Sequence, residues 1–199
     1  MKILSSYISS EFTVKNSRFL CELFPCESQN EARSIIKSQK SKYSDASHVV
    51  HGFMLGLNAE ILGMSDDGEP SGTAGRPVLD VIKGRGCTNL VMTVTRWFGG
   101  TLLGTGGLVK AYGDGAKLVL DKAEKEGAIT EYIETRDFSF RSSYPLYQTL
   151  KRVLERFSLS NLHEDFKTNV TVSGKIRADE YSAFFESVRN ASNGAVMVE

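Results

Sequence analysis

Glycine placement limits this chain more than any other feature: 15 of its 18 glycines lie between Gly52 and Gly115, leaving three in the last 84 residues. Glycine is costly in chain entropy, so it gathers where turns or close backbone approaches require it. The asymmetry predicts two differently built parts. The charged run KAEKEG ends on Gly127, a suitable helix cap, and places the boundary there, giving domains 1–126 and 127–199.

In the first part, EFTVKNSRFLCELFP reads as a hairpin around a KNS turn. A helix follows, marked by Ser28 with Glu31 three residues on, a capping box. HVVHGFMLGL and NLVMTVTRWF are apolar and β-branched, hence buried strands, with a return strand through Ile61 to Met64. Pro77 suits the first turn of a helix carrying Val78, Leu79, Val81 and Ile82, stopped by Gly84 to Gly86. A longer helix runs from about Thr105 to Glu124. Gly113 and Gly115 inside it each cost roughly 1 kcal/mol against alanine, which implies close backbone packing at both.

The second part reads strand, helix, strand, strand, helix, strand. Phe138 and Phe140 end the first strand, and Leu146, Leu150, Val153, Leu154 and Phe157 line the first helix. Strands follow near Leu159 to Phe166 and through Val170, Val172 and Ile176. Asp179 is placed to cap the second helix, with AVMV as the closing strand. This βαββαβ order is that of the ferredoxin-like fold.

With 24 basic and 24 acidic residues, summed charge gives no argument for a nucleic-acid or acidic-membrane partner, and any such partner must be met by a local patch. Cys21, Cys26 and Cys87 lack redox or zinc spacing and read as buried thiols. The start is too poor in apolar residues for a signal peptide and no later run matches a membrane span, so a soluble cytoplasmic protein is expected.

Three stretches could carry chemistry. SDDGEPSGTAGRP, Ser65 to Pro77, packs three carboxylates, three glycines and two prolines into thirteen residues. Asp66, Asp67 and Glu69 could ligate a hard cation, but a plain turn also explains Asp-Gly and Pro70. SGTAGRP runs into a helix start, where free amides and Arg76 would welcome an anion. In TRWFGGTLLGTGGLVKAYG, five glycines in nine residues follow a strand and precede a helix. That is the context of a phosphate cradle, although the G-x-G-x-x-G spacing is absent. Arg96 and Lys110 flank it, and Trp97 and Phe98 offer flat faces of the kind single-stranded nucleic acid uses. His48 and His51, three apart on a strand, point to opposite faces and cannot share a metal.

SDDGEPSGTAGRPVLDVI followed by NLVMTVTRWFGGTLLGTGGLVKAYGDGAKL resembles the signature of the IMPACT/YigZ family, and ASHVVHGF is similar to its Ala-Thr-His segment. Matching positions include His48, Asp66, Asp67, Gly68, Glu69, Pro70, Gly72, Thr73, Gly75, Arg96, Phe98, Gly99, Gly100, Gly104, Gly106, Gly107 and Tyr112. Trp97 stands where tyrosine is usual and Lys110 where arginine is usual.

The resemblance implies an α+β protein. Its N-terminal domain would have the left-handed βαβ fold of a small-subunit ribosomal protein and of elongation factor G domain IV, joined to a ferredoxin-like C-terminal domain. It further implies a translation regulator that binds RNA or the ribosome, with a protein partner in translation control. Eukaryotic relatives add an RWD domain, so their dampening of a stress kinase is not carried over whole.

The expected nucleic-acid or phosphate-binding set is His48, Gly72, Thr73, Gly75, Arg76, Arg96, Trp97, Gly99, Gly100, Gly104, Gly106, Gly107 and Lys110. Asp66, Asp67 and Glu69 are expected to organise the loop by accepting amides of the second glycine-rich loop. No catalytic residue, resident metal or cofactor is expected. The competing reading is a magnesium-dependent enzyme acting on a phosphorylated small molecule, with those carboxylates placing the metal and His48 as acid or base.

Overall fold

A three-residue strand, β1 (Lys2–Leu4), precedes the expected hairpin of β2 (Ile8–Val14) and β3 (Ser17–Pro25). Lys15 and Asn16 take φ of 44° and 64°, the positive values a two-residue hairpin turn needs to match strand twist. In this computed structural model, which describes Met1–Glu199, the first unit continues through Tyr132. Its further elements are α1 (Gln29–Lys42), β4 (His48–Leu55), β5 (Ile61–Ser65), α2 (Gly75–Arg85), β6 (Cys87–Thr88), β7 (Leu90–Trp97), α3 (Thr105–Lys125) and β8 (Ile129–Glu131).

Five strands form one antiparallel sheet in the order β2-β3-β7-β4-β5. Alternation along β4 separates two cores. Val50 and Met54 join the larger cluster with Val78 and Ile82 of α2 and Tyr112 and Ala116 of α3. Leu55, with Val91 of β7, packs instead against Ala32 of α1, so α1 covers the opposite face. A second, small sheet runs β6-β1-β8. Its strands of two or three residues carry no readable periodicity, and β8 pairs with β1, which keeps Ile129–Glu131 in the first unit.

Several local expectations resolve differently. The Ser28 hydroxyl accepts the Glu31 amide at 3.3 Å, but the Glu31 carboxylate reaches the amide of Glu27 at 2.9 Å, so the capping box is shifted by one residue. Of Gly113 and Gly115 in the middle of α3, only Gly115 is packed: an added Cβ would stand 2.6 Å from Phe12 Cε1 and 2.8 Å from Cys21 Sγ, whereas Gly113 has nothing within 4 Å.

The second unit, Ile133–Glu199, contains β9 (Thr135–Ser142), α4 (Tyr144–Leu154), β10 (Leu159–Phe166), β11 (Val170–Arg177) and α5 (Tyr181–Ala191). The sheet order is β10-β11-β9. Ser139 and Glu199 exchange two backbone hydrogen bonds, at 2.9 and 2.8 Å, which lays the chain end beside β9 where the ferredoxin-like order has its fourth strand. The expected closing strand AVMV does not form as a regular strand, however, and the sheet has three strands. Phe184 is fully buried with its ring 4.8 Å from Phe138 and 5.3 Å from Phe157, a burial that contributes about 1.5–3 kcal/mol. Asp179 does not cap α5. Arg177 takes its carboxylate through two bonds of 3.0 and 2.7 Å, leaving Glu180 at the cap position, whose carboxylate accepts the Ser158 amide rather than capping the helix.

Candidate functional site

The acidic loop closes on itself. Asp67 and Gly68 hold φ of 47° and 87°, and the Glu69 amide returns to the Asp66 carbonyl at 3.0 Å, a tight turn. The Asp66 carboxylate then spans the start of α2, accepting the amides of Gly72 at 2.9 Å, Ala74 at 3.0 Å and Gly75 at 2.8 Å. Partial burial opposes its charge, but the three amides outweigh this and hold its pKa below the usual carboxylate value. The Thr73 hydroxyl donates to the Pro70 carbonyl at 2.6 Å. The helix start expected to receive an anion is therefore occupied by the chain's own aspartate, so Gly72 and Gly75 offer it no spare amide. Arg76 points along α2 and is paired through Nε with both oxygens of Asp80 at 2.9 Å.

The other two carboxylates fasten the loop to its surroundings. Asp67 accepts the Val49 amide at 2.7 Å and also pairs with Lys40 of α1. Glu69 is buried, and its Oε1 accepts from Arg96 Nη1 and from the Tyr112 hydroxyl, both at 2.7 Å. His48 lies alongside, with Nδ1 2.8 Å from the Asp67 carbonyl and Nε2 3.8 Å from Glu69 Oε2. Because a carbonyl only accepts, Nδ1 carries the proton. Burial and the bond to Glu69 raise the Tyr112 pKa well above the usual phenol range, so the hydroxyl stays a donor.

These contacts correct the expectation that the carboxylates accept amides of the second glycine-rich loop. They accept from their own loop, from β4, and from side chains of α1, β7 and α3. Each carboxylate is engaged by different protein donors, and the three do not converge on a shared point. Arg96 is corrected too. Rather than flanking the glycine loop at the surface it is only 5% exposed, held by Glu69 and by Ser17 Oγ at 3.2 Å, with the rings of Phe19 and Phe98 each 5.6 Å from its guanidinium carbon.

In the second glycine loop, Gly99 is a packing residue: an added Cβ would stand 2.0 Å from the Asn16 backbone. Its amide donates to Ser17 Oγ at 3.2 Å, and that of Phe98 donates to Ser47 Oγ at 3.1 Å. Ser17 and Ser47 carry no local sequence signal, since their partners lie 82 and 51 residues away. Gly100 and Gly104 have positive φ, and neither they nor Gly106 have a neighbour that an added Cβ would meet. Gly104 stands at the N-cap of α3 without a side-chain bond, so this helix start, unlike that of α2, keeps its amides uncapped by side chains.

The two loops meet in one groove of about 530 Å³, lined by Ser47, His48, Gly68, Glu69 and Pro70 on one side and by Arg96, Phe98, Leu102, Leu103, Gly104, Thr105 and Leu108 on the other. Of the expected binding set it gathers His48, Arg96 and Gly104. Trp97 lies outside it, its Nε1 donating to Asp45 at 2.8 Å and one face covered by Arg18 at 4.3 Å. Lys110 is exposed on α3, 3.6 Å from Asp114, and borders a neighbouring apolar groove with Phe12, Val14 and Leu103.

Fold and groove together define a two-domain α+β protein whose first domain presents a glycine-framed groove at the uncapped start of its longest helix. The model of the Impact N-terminal domain matches residues 15–120, and that of a domain of unknown function, DUF1949, matches residues 141–195. An IMPACT family member of Haemophilus influenzae is 30% identical over 98% of this chain and 93% of its own length. YvyE of Bacillus subtilis is 33% identical over 92% and 83%. YigZ of Escherichia coli is 30% identical over 93% and 90%. A crystal structure described as that of a hypothetical protein superposes with a TM-score of 0.66 at 27% identity, covering 99% of this chain and 95% of the other. The chain belongs to the IMPACT family. No helix in it is long and apolar enough to cross a membrane.

Proposed function

We propose that this protein acts in translation control as a binder of RNA or of a ribosomal surface, and that it binds through the groove between its two glycine-rich loops. The observation that carries this is the uncapped N-terminus of α3 opening beside Phe98 and Leu102, which are 47% and 80% exposed. Backbone amides with a helix dipole behind them suit a phosphate, and an exposed ring beside them suits a base. Lys110, exposed on α3 at the edge of the neighbouring groove, supplies a cation one turn along the helix, and Gly100, Gly104 and Gly106 leave room for a backbone to approach. His48, through Nε2, is the polar group on the opposite wall. Arg96 and Glu69 line the groove but are engaged with each other, joining its two walls, while Asp66 and Asp67 brace the acidic loop. The resemblance to translation regulators stated above supports the partner class.

The test is fluorescence anisotropy of a labelled single-stranded RNA, and co-sedimentation with ribosomal subunits, over a range of salt. Counterion release should give a log–log slope of roughly 0.7 for each phosphate neutralised on a single strand. Phe98→Ala and Lys110→Ala should each weaken binding, and Lys110→Ala should also flatten the slope. Binding that is absent, insensitive to salt, or unchanged in both variants overturns the proposal. Arg96→Ala is unsuitable for this purpose, because it would strand the buried Glu69 charge and is expected to destabilise the fold.

A further inference from the structure

On the opposite face of the sheet, between α1 and β4, lies a second cavity of about 690 Å³. Its wall is a single stripe of α1 at helical spacing: Gln29, Arg33, Ile36, Lys37 and Lys40. His51 and Phe53, two residues apart on β4 and so on the same face, form its base. Three of the lining residues are cations and none is an acid. Lys40 is held by Asp67, but Arg33 and Lys37 make no ion pair. Two adjacent unpaired cations on one helix face repel each other and gain from an anion between them.

The base is shaped for a flat partner. An added Cβ on Gly63 would stand 2.2 Å from Phe53 Cζ, so glycine at this position of β5 lets the phenyl ring lie across the neighbouring strand. Phe53 lies nearly parallel to the His51 ring, at 10° with centroids 6.5 Å apart. Nδ1 of His51 is buried without a protein partner, as are Thr93 Oγ1 and Glu22 Oε2, the next positions of the same cross-strand row. Burial, aided by Lys40 and opposed by Asp67, lowers the His51 pKa, so at neutral pH its ring is uncharged.

We propose that this cavity binds one nucleotide, its base stacked on Phe53 and His51 and its phosphate held by Arg33 and Lys37. The volume lies within the range of small-ligand pockets. Arginine and lysine side by side supply a fork and a point charge for phosphate oxygens, and aromatic faces accept any base. The same chemistry is offered by a free nucleotide and by a nucleotide within RNA. This site shares no residue with the groove of the proposed function and does not depend on it.

The full chain is titrated calorimetrically with the four nucleoside 5′-monophosphates, adenosine, inorganic phosphate and a short single-stranded RNA. Nucleotides should bind more tightly than adenosine or phosphate, since only they meet both halves of the site. The Arg33→Ala/Lys37→Ala double variant, altered only at exposed positions, should bind at least about tenfold more weakly through loss of two charge-assisted contacts. Phe53→Leu should weaken nucleotides but not phosphate. On adding a nucleotide, ring protons of His51 and Phe53 should shift upfield. Tighter binding of the monophosphates assigns the site to free nucleotides; tighter binding of RNA, lost in the same double variant, assigns it to a nucleotide within RNA. No binding of either, affinity unchanged in the double variant, or phosphate binding as tightly as nucleotides overturns the inference.

Discussion

Glu69 and Arg96 form a buried ion pair, Oε1 to Nη1 at 2.7 Å, in which the side chains are only 3% and 6% exposed. It ties the acidic loop to β7, and the Tyr112 hydroxyl on the same oxygen adds α3. Removing one partner of such a pair strands the other charge in the interior. Glu69→Ala should therefore lower the unfolding free energy by about 3–5 kcal/mol, read from urea denaturation. Tyr112→Phe should cost about 1.5–3 kcal/mol, the range for a hydrogen bond to a charged group. The two effects should be strongly non-additive. Additive losses would show that the network is not a unit.

Asp66 gives a pH signature. Its folded pKa is depressed below 3.8, because three amides stabilise the charged form more than burial opposes it. A depressed carboxylate contributes stability that is fully present above the unfolded value and is lost as pH falls through the folded one. Stability should thus hold from neutral pH to about pH 4 and decline below it. Asp66→Asn should lose part of this acid dependence. Asp66→Ala should cost about 0.5–2 kcal/mol at pH 7, as for other helix caps. An unchanged acid limb in Asp66→Asn would argue against the assignment.

How much of this could be read beforehand depended on sequence distance. The Asp66 cap uses residues at most nine apart, and DDGEPSGTAGRP already reads as a turn running into a helix start. The Glu69–Arg96 pair spans 27 residues and exists only because β4 and β7 align His48 with Arg96. Spacing along the chain carries no trace of that register, so Arg96 looked like a surface cation. The two glycine-rich loops do lie together along one groove, but the residues that line it depend on tertiary placement. Gly113 and Gly115 are alike in sequence and differ only in which side of α3 they occupy.

That difference is testable by one substitution at each site. Gly113→Ala meets no neighbour and should stabilise the protein by up to about 1 kcal/mol through helix propensity. Gly115→Ala drives a methyl into Phe12 and Cys21 and should destabilise by about 1–3 kcal/mol, as overpacking does. Thermal melts of the two variants should move in opposite directions. A Gly115→Ala protein at least as stable as the parent would mean that Phe12 can yield.

The three cysteines provide a probe of the native state that needs no substitution. All are buried, and burial raises the thiol pKa to about 12 for Cys21 and about 11 for Cys26 and Cys87. Since the thiolate is the reactive form, each should stay protonated and inert at pH 8. A chromogenic disulfide reagent added to folded protein should release almost no colour at first, and all three thiols should react promptly in denaturant. Any slow native reaction then reports opening of the fold, and if opening is global it should accelerate in Glu69→Ala by about tenfold for each ~1.4 kcal/mol of stability lost. Fast reaction of one thiol in the parent protein would locate a region that opens on its own, and the order of labelling, read by mass spectrometry, would identify which.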